Sequence, residues 1–277
     1  MARLSLLIDV TRCTGCYNCL LACRDEHYGN DYPGYSAAQP LNGQFWMQVR
    51  EIERGVYPRP KLDYVAIPCQ HCEDAPCIDA AKDGAVYRRH DGIVVIDPVK
   101  AKGQPQIAQA CPYRVVFWNA DLDIPQKCAL CAHRLDAGER QPRCSESCPT
   151  GAMVFGDLDD PQSEISLRLA ALETEVLHPE HGCSPLVRYH GIPRRFVAGE
   201  VVLDDAADAC AEGVKVVLEG EGVRDETTSD VFGQFEFEGL VQKASYRVSV
   251  EHPGYAPRAF DVRTDTDVYL GEVRLTR

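Results

Sequence analysis

Alternation of apolar and polar side chains dominates the last third of the chain. Apolar residues recur at every second position in short segments that Gly, Asp and Pro separate. Six segments are expected to be strands, and they cover residues 196–203, 214–218, 232–237, 246–250, 259–262 and 268–273. Several short strands at this spacing are typical of a small β-sandwich or barrel.

The same alternation predicts which side chains face the core of this β-domain. Inward positions are expected for Phe235, Phe237, Tyr246, Val248 and Val250. Outward positions are expected for Glu236, Arg247 and Ser249. The segment 230–233 supplies a turn before the strongest strand, since Asp and Gly favour tight turns.

The first part of the chain has a different pattern. Brief apolar strands are expected at residues 4–8, 93–96 and 115–118, between long stretches that are punctuated by Pro and Gly. A helical period over residues 163–177 predicts one helix, and a loop rich in His, Gly and Pro follows it. We therefore expect an α+β protein. Its predicted parts are an N-terminal domain of residues 1–160, a connector of residues 161–193, and an all-β domain of residues 194–277.

The composition argues against several classes of protein. No run of eighteen apolar residues occurs among the 277, and Ser5 and Asp9 interrupt the apolar N-terminal run. Neither a membrane span nor a secretory signal is expected, which favours the cytoplasm. The formal net charge of −13 argues against nucleic acid or an anionic membrane as the main partner.

Fourteen cysteines are an unusual number for a chain without an export signal, and they favour metal or redox chemistry over disulfides. Twelve of them lie between Cys13 and Cys148. The N-terminal domain is expected to be mostly loop, and a fold of that kind needs more than apolar burial to hold it together. Bound metal is the natural candidate.

The spacing of these twelve cysteines is typical of cubane iron–sulfur clusters. Cys13, Cys16, Cys19 and Cys23 form a C-x2-C-x2-C-x3-C run, in which the fourth cysteine ligates a different cluster. A second full set has a longer insertion and consists of Cys128, Cys131, Cys144 and Cys148. Between them lie a triplet and a solitary cysteine, namely Cys69, Cys72, Cys77 and Cys111.

Twelve thiolates at four per cluster predict three 4Fe-4S clusters. The first is assigned to Cys13, Cys16, Cys19 and Cys148. The second is assigned to Cys128, Cys131, Cys144 and Cys23, and the third to Cys69, Cys72, Cys77 and Cys111. A fourth set of positions has no thiol and should be filled by side chains; its members are Ala81, Ala101, Gln104 and Ile107.

Structural zinc is the main alternative for these cysteines, because zinc sites also use C-x2-C pairs. The dense triplets and the Cys-Pro sequences at Cys111 and Cys148 weigh against it. Cys183 and Cys210 fit no triplet and are excluded. His71 and His133 are expected to pack or to donate to cluster sulfur rather than to ligate. Lys127 and Arg143 flank cluster cysteines, where they either tune the potential or lie in solvent.

These motifs resemble the iron–sulfur subunits of molybdopterin oxidoreductases related to dimethyl sulfoxide reductase. The resemblance covers about residues 1–155 and is carried by four segments, residues 8–16, 68–77, 111–113 and 148–152. The missing fourth ligand set and the appended β-domain are similar to the small subunits of pyrogallol–phloroglucinol transhydroxylase and resorcinol hydroxylase. The β-domain itself resembles carboxypeptidase-regulatory or transthyretin-like modules.

The resemblance implies a heterodimer with a large catalytic subunit that holds molybdenum on two molybdopterin guanine dinucleotides. That partner would hydroxylate or transhydroxylate a phenolic ring, and this chain would supply electron transfer, with the Cys13 cluster nearest to molybdenum. An alternative is a respiratory reductase acting on sulfur, nitrogen or arsenic compounds. A scaffold with purely structural clusters would need only one metal site. Asp9, His27, Asp74 and Asp97 are not convincing as acids or bases, so no catalytic residue is expected in this chain.

Overall fold

The computed structural model describes residues 2–205 and 210–277. It divides into two compact units. The first contains residues 1–51 and 63–192, and the second contains residues 52–62 and 193–277. The second unit therefore includes a short segment, residues 52–62, that the sequence pattern did not associate with it.

The strands of the first unit are mostly short. They are β1 (Leu4–Asp9), β2 (Gln48–Arg54), β3 (Lys61–Ile67), β4 (Val86–Arg88), β5 (Val94–Ile96), β6 (Phe117–Asn119), β7 (Ile124–Gln126), β8 (Met153–Asp157) and β9 (Arg188–His190). β2 and β3 form a hairpin whose tip belongs to the second unit. β4 pairs with β5, β6 pairs with β7, and a three-stranded sheet has the order β8-β1-β9.

The helices are also short, and all of them lie in the first unit. They are α1 (Asn18–His27), α2 (Pro76–Asp79), α3 (Gln106–Gln109), α4 (Ala132–Asp136), α5 (Arg143–Glu146) and α6 (Glu164–Ala171), with 3-10 turns at Val10–Arg12 and Pro179–His181. None of the helices in the described residues is long and apolar enough to cross a membrane.

The helix expected over residues 163–177 is present but ends earlier. Ser163 begins it, since its hydroxyl accepts a hydrogen bond from the backbone N–H of Ser166 at 3.3 Å. The helix ends at Ala171 because Leu172 has an extended backbone. Glu175 then forms a β-bridge with Tyr189. The second half of the prediction was therefore wrong, because tertiary pairing determines the backbone there.

Within its described residues, the second unit is a β-sandwich of seven strands. They are β10 (Arg195–Leu203), β11 (Lys215–Gly220), β12 (Val223–Thr228), β13 (Gln234–Leu240), β14 (Ser245–Glu251), β15 (Arg258–Arg263) and β16 (Val268–Leu275). One sheet has the order β13-β10-β16 and the other β12-β11-β14-β15. The predicted α+β class and the β-domain are confirmed, in the sandwich form rather than as a barrel.

The core of this sandwich contains all five side chains predicted to face inward. β12 was not predicted because five of its six residues, all but Thr227, are exposed and show no apolar alternation. Phe232 lies in the turn before β13 and is exposed, so the strand predicted over residues 232–237 was started two residues too early; β13 begins at Gln234.

Strand β10 is buried on both faces. Val197 and Val201 face the sandwich core. Phe196 is fully buried and lies under the hairpin tip, where the Lys61 ammonium is 4.8 Å from the centre of its ring. Lys61 also bonds to Glu236, which faces away from the core as predicted.

Candidate metal centres

The first group of cysteines lies in the loop between β1 and α1. β1 is almost wholly buried and ends at Asp9, whose carboxylate accepts hydrogen bonds from the backbone N–H and hydroxyl of Thr11. The loop then passes Gly15 at a φ of +65°, where a Cβ would lie 2.5 Å from the ring of Tyr64. Only glycine fits there without displacing that ring.

Strand pairing brings a distant cysteine to this loop. β1 runs antiparallel to β8, with Ile8 opposite Met153, so the segment that precedes β8 lies beside the segment that follows β1. One cavity with mainly apolar walls is lined by the four cysteines of the first predicted set, Cys13, Cys16, Cys19 and Cys148. The structure thus brings these four together, and their ligation of a cluster stays a prediction.

Helix α1 connects the first set to the second. Cys19 lies in its first turn, and Cys23 lies one turn further along. Cys23 is close enough to Cys128 and Cys131 for their charges to act on it. Cys144 lies on α5, which packs against α1, and it neighbours Cys131, Cys128 and Cys23. These four cysteines are those of the second predicted set, and all four are buried.

The third set surrounds a separate cavity in the first unit. Its walls include Cys69, Cys72, Cys77 and Cys111, together with Tyr113, Val94, Val115 and Val116. Cys77 lies on α2, and Cys111 follows α3. These two short helices pack against each other, which brings both cysteines to the same cavity.

The spacing of the sulfurs argues against zinc. A tetrahedral zinc site with bonds of about 2.3 Å requires sulfurs roughly 3.8 Å apart. Among the His, Cys, Asp and Glu side chains in residues 2–205 and 210–277, one group of three has ligand atoms that all lie within 4.8 Å of one another. That group is His178, Glu180 and His181, and it contains no cysteine. The cysteine sets are therefore too open for a single ion, whereas a cubane holds its four thiolates further apart.

The fourth set of positions is filled by side chains. Ala101 and Ile107 are fully buried in an apolar cluster, and Ala81 packs against it. The amide of Gln104 accepts a hydrogen bond from the backbone N–H of Lys82 at 2.8 Å and donates one to the carbonyl of Lys100 at 2.8 Å. The expectation that this site is packed is confirmed.

Burial makes the cysteines of these sets poor anions on their own. It raises the pKa of Cys19 and Cys131 to about 12, and that of Cys77 and Cys128 to about 11. At Cys148 burial acts in the same direction, but hydrogen bonds from the Thr150 hydroxyl and nearby backbone N–H groups lower the pKa. Thiolates in such cavities need an adjacent positive charge, which cluster iron supplies.

His71 fits the role of a sulfur donor in the third set. The ring is 1% exposed and lines the cavity of that set. Its Nδ1 accepts a hydrogen bond from the backbone N–H of Val94 at 3.1 Å, which places the remaining proton on Nε2. Nε2 is buried and has no hydrogen-bond partner within the described residues. A cluster sulfur in this cavity would satisfy it.

The second set lies beside a group of rings that the sequence did not indicate. The buried ring of His27 lies 4.7 Å from that of Trp46, and its Nε2 is 3.9 Å from Cys131 Sγ. The Nε2 of His133 bonds to Glu26 at 2.9 Å, and its ring stacks on that of Tyr32 at 3.6 Å. Arg143 also pairs with Glu26, at 3.3 Å. No local pattern signals this arrangement, because its members lie far apart along the chain.

The remaining candidates have structural roles. Asp97 accepts backbone hydrogen bonds from Val99 and Lys100, as a turn-forming carboxylate does, and Asp74 accepts one from the Ser184 hydroxyl. Cys183 is buried and bonds to the carbonyl of His181 at 3.3 Å. Cys210 is exposed.

Two family models match the chain. Residues 60–158 match the 4Fe-4S dicluster domain, and residues 197–276 match the carboxypeptidase regulatory-like domain. The region of the first match contains eight of the twelve clustered cysteines.

Several curated proteins are similar to this chain. The pyrogallol hydroxytransferase small subunit of Pelobacter acidigallici is 38% identical, over 99% of this chain and 100% of that protein. The B subunit of tetrathionate reductase from Salmonella typhimurium is 36% identical, over 70% of this chain and 75% of that protein. The B subunit of sulfite dehydrogenase from Allochromatium vinosum is 33% identical, over 70% of this chain and 85% of that protein.

Proposed function

Because the chain belongs to the family of iron–sulfur electron-transfer subunits of molybdopterin oxidoreductases, we propose that it binds three 4Fe-4S clusters and exchanges electrons with a molybdenum-containing partner. The observation that carries the proposal is the convergence of twelve cysteines into three separate sets of four. The filled positions around Ile107 support a count of three rather than four.

The chain's own residues hold the clusters and set their surroundings. A 4Fe-4S cluster supplies one-electron redox chemistry, with a potential that depends on burial and on hydrogen bonds to sulfur. The cysteines provide the thiolates. Two of the cysteine sulfurs have hydrogen-bond donors beside them. These donors are the Leu130 N–H, 3.3 Å from Cys128 Sγ, and the Thr150 hydroxyl, 3.7 Å from Cys148 Sγ. The walls of the first and third cavities are mainly apolar, which limits contact between a bound cluster and water.

We propose that the partner is a large subunit with molybdenum on two molybdopterin guanine dinucleotides that acts on a phenolic ring. The support is likeness along the whole chain, β-domain included, to a protein whose name specifies pyrogallol. The first set would lie nearest to molybdenum. No acid or base in the described residues is suited to the reaction, so the ring chemistry belongs to the partner.

A respiratory reductase of sulfur, nitrogen or arsenic compounds is the second candidate. Likeness to the tetrathionate reductase protein favours it, although that likeness covers 70% of the chain. The location of the partner distinguishes the two. A phenol-hydroxylating complex is proposed to be cytoplasmic, whereas a twin-arginine export signal on the large subunit would support the respiratory alternative.

Iron and molybdenum analysis of the complex purified without oxygen tests the proposal. Three clusters give about twelve irons per chain, and the companion subunit should contain molybdenum. Cys111→Ser should remove the third cluster and leave about eight irons. The matched control is Cys210→Ser, an exposed cysteine of the second unit, which should leave all twelve. Bound zinc, or full iron in Cys111→Ser, would contradict the proposal.

A further inference from the structure

Lys127 is a buried cation whose partners are backbone oxygens. The residue is 3% exposed and follows the buried strand β7. Its ammonium donates hydrogen bonds to the carbonyl of Val94 and, at 3.0 Å, to the carbonyl of Cys128. Among the residues that the structure describes, no carboxylate pairs with it. Burying an ammonium without a counter-charge is costly, and carbonyl dipoles offset only part of that cost.

The position of this charge relates it to two of the cysteine sets. Lys127 directly precedes Cys128 of the second set. Val94, whose carbonyl the ammonium binds, lines the cavity of the third set, as do Cys77 and His71. The charge of Lys127 also acts on Cys128 and Cys77 through space. A 4Fe-4S cluster with four thiolates is net negative in both of its redox states. With both clusters bound, a single positive charge would therefore lie close to two anions in a low-dielectric interior.

We propose that Lys127 is the shared counter-charge of the second and third clusters, which raises the reduction potential of both and reduces the repulsion between them. The inference rests on the three-cluster function proposed above. Lys127 is not a cluster ligand; it acts only by placing a fixed positive charge near the two clusters. Because each added electron makes a cluster more negative, a nearby fixed cation stabilises the reduced state more than the oxidised one.

A purely structural role makes a different prediction. If Lys127 only joins two backbone carbonyls, a neutral donor in its place should leave the potentials unchanged. Lys127→Gln keeps donors and removes the charge, whereas Lys127→Arg keeps the charge at all accessible pH values. Lys102→Gln is the matched control, because it removes the same charge from an exposed position.

The experiment is a potentiometric titration of the purified native complex, followed by electron paramagnetic resonance of each cluster. Lys127→Gln should lower the equilibrium constant for reduction of the second and third clusters at least tenfold, which corresponds to a fall in reduction potential of 59 mV for one electron. The reduction potential of the first cluster, held by Cys13, Cys16, Cys19 and Cys148, should not change. Lys127→Arg and Lys102→Gln should behave like the wild type. Unchanged potentials in a fully loaded Lys127→Gln complex would overturn the proposal.

Cluster loading decides the remaining outcomes. If Lys127→Gln fails to load, Lys127→Met tests a second neutral side chain by the same titration. Loss of only the second and third clusters in both neutral variants, with Lys127→Arg intact, supports a required counter-charge. Loss of all three clusters, or loss in Lys127→Arg as well, shows a general folding role and overturns it. A wild-type complex with fewer than three clusters would instead contradict the proposed function, and it would do so before any variant is compared.

Discussion

At the scale of single residues, the environment of each sulfur is set by a few donors. Thr150 follows Cys148 by two positions, and its hydroxyl lies 3.7 Å from that sulfur. His71 reaches the third cavity from a backbone with a φ of +46°, which is unusual for a residue other than glycine. We expect such residues to act on a cluster through hydrogen bonds and not through ligation.

Replacing Thr150 with Val tests this effect. The two side chains have nearly the same shape, but valine cannot donate to Cys148, so the reduced state of the first cluster loses one stabilising hydrogen bond. We expect its reduction potential to fall by less than the 59 mV that corresponds to a tenfold change. Redox titration of the complex measures the reduction potential of the first cluster. Thr14→Val, which changes a residue of the same cavity, is the control. A rise in potential would contradict the assigned donor.

At the scale of elements, the tip of the β2–β3 hairpin is held by one buried carboxylate. Asp267 accepts hydrogen bonds from the backbone N–H groups of Gly55 at 2.9 Å and Phe196 at 3.2 Å. It also pairs with Arg195 at 3.3 Å. Gly55 has a φ of +75°, and a Cβ there would lie 2.2 Å from the carbonyl oxygen of Arg59. The tip therefore depends on both a glycine and this acceptor.

Removing the acceptor should release the hairpin tip. Asp267→Ala leaves the buried N–H of Phe196 and the half-buried N–H of Gly55 without this acceptor, at a cost of about 1–3 kcal/mol for the buried group. We expect faster hydrogen exchange at residues 52–62 and faster tryptic cleavage after Arg54. The exposed Asp265→Ala variant, which changes the same type of side chain nearby, should exchange like the wild type. Equal protection in both variants would show that the tip is held by other contacts.

At the scale of the whole molecule, the two units are stabilised in different ways. The second unit has a continuous apolar core of aliphatic and aromatic side chains between its sheets. Within the described residues, the first unit has two two-stranded ribbons with only three residues per strand, and it contains three groups of four cysteines, most of them buried or half-buried. Such short ribbons are marginally stable alone, which makes bound metal part of the folding free energy.

Iron removal should therefore act on one unit. After oxidation and chelation, we expect hydrogen-exchange protection to fall across residues 63–158, because their loops lose the cross-links that the clusters provide. Protection in β10, β11 and β14 should remain, since apolar burial holds those strands. Peptide-level exchange before and after iron removal measures both. Loss of protection in β14 would mean that the β-domain also depends on the clusters.

Local patterns in the sequence were enough to predict which cysteines the structure brings together and which side chains form the inward face of the sandwich. Cysteine spacing is local, and two-residue alternation is a local consequence of strand geometry, so both are visible without coordinates. Tertiary contacts determined the features that depend on distant partners. They ended α6 at Ala171, placed residues 52–62 in the second unit, and buried Lys127 between two sets of thiols. These features depend on residues tens to hundreds of positions apart, and a local pattern carries no information about such contacts.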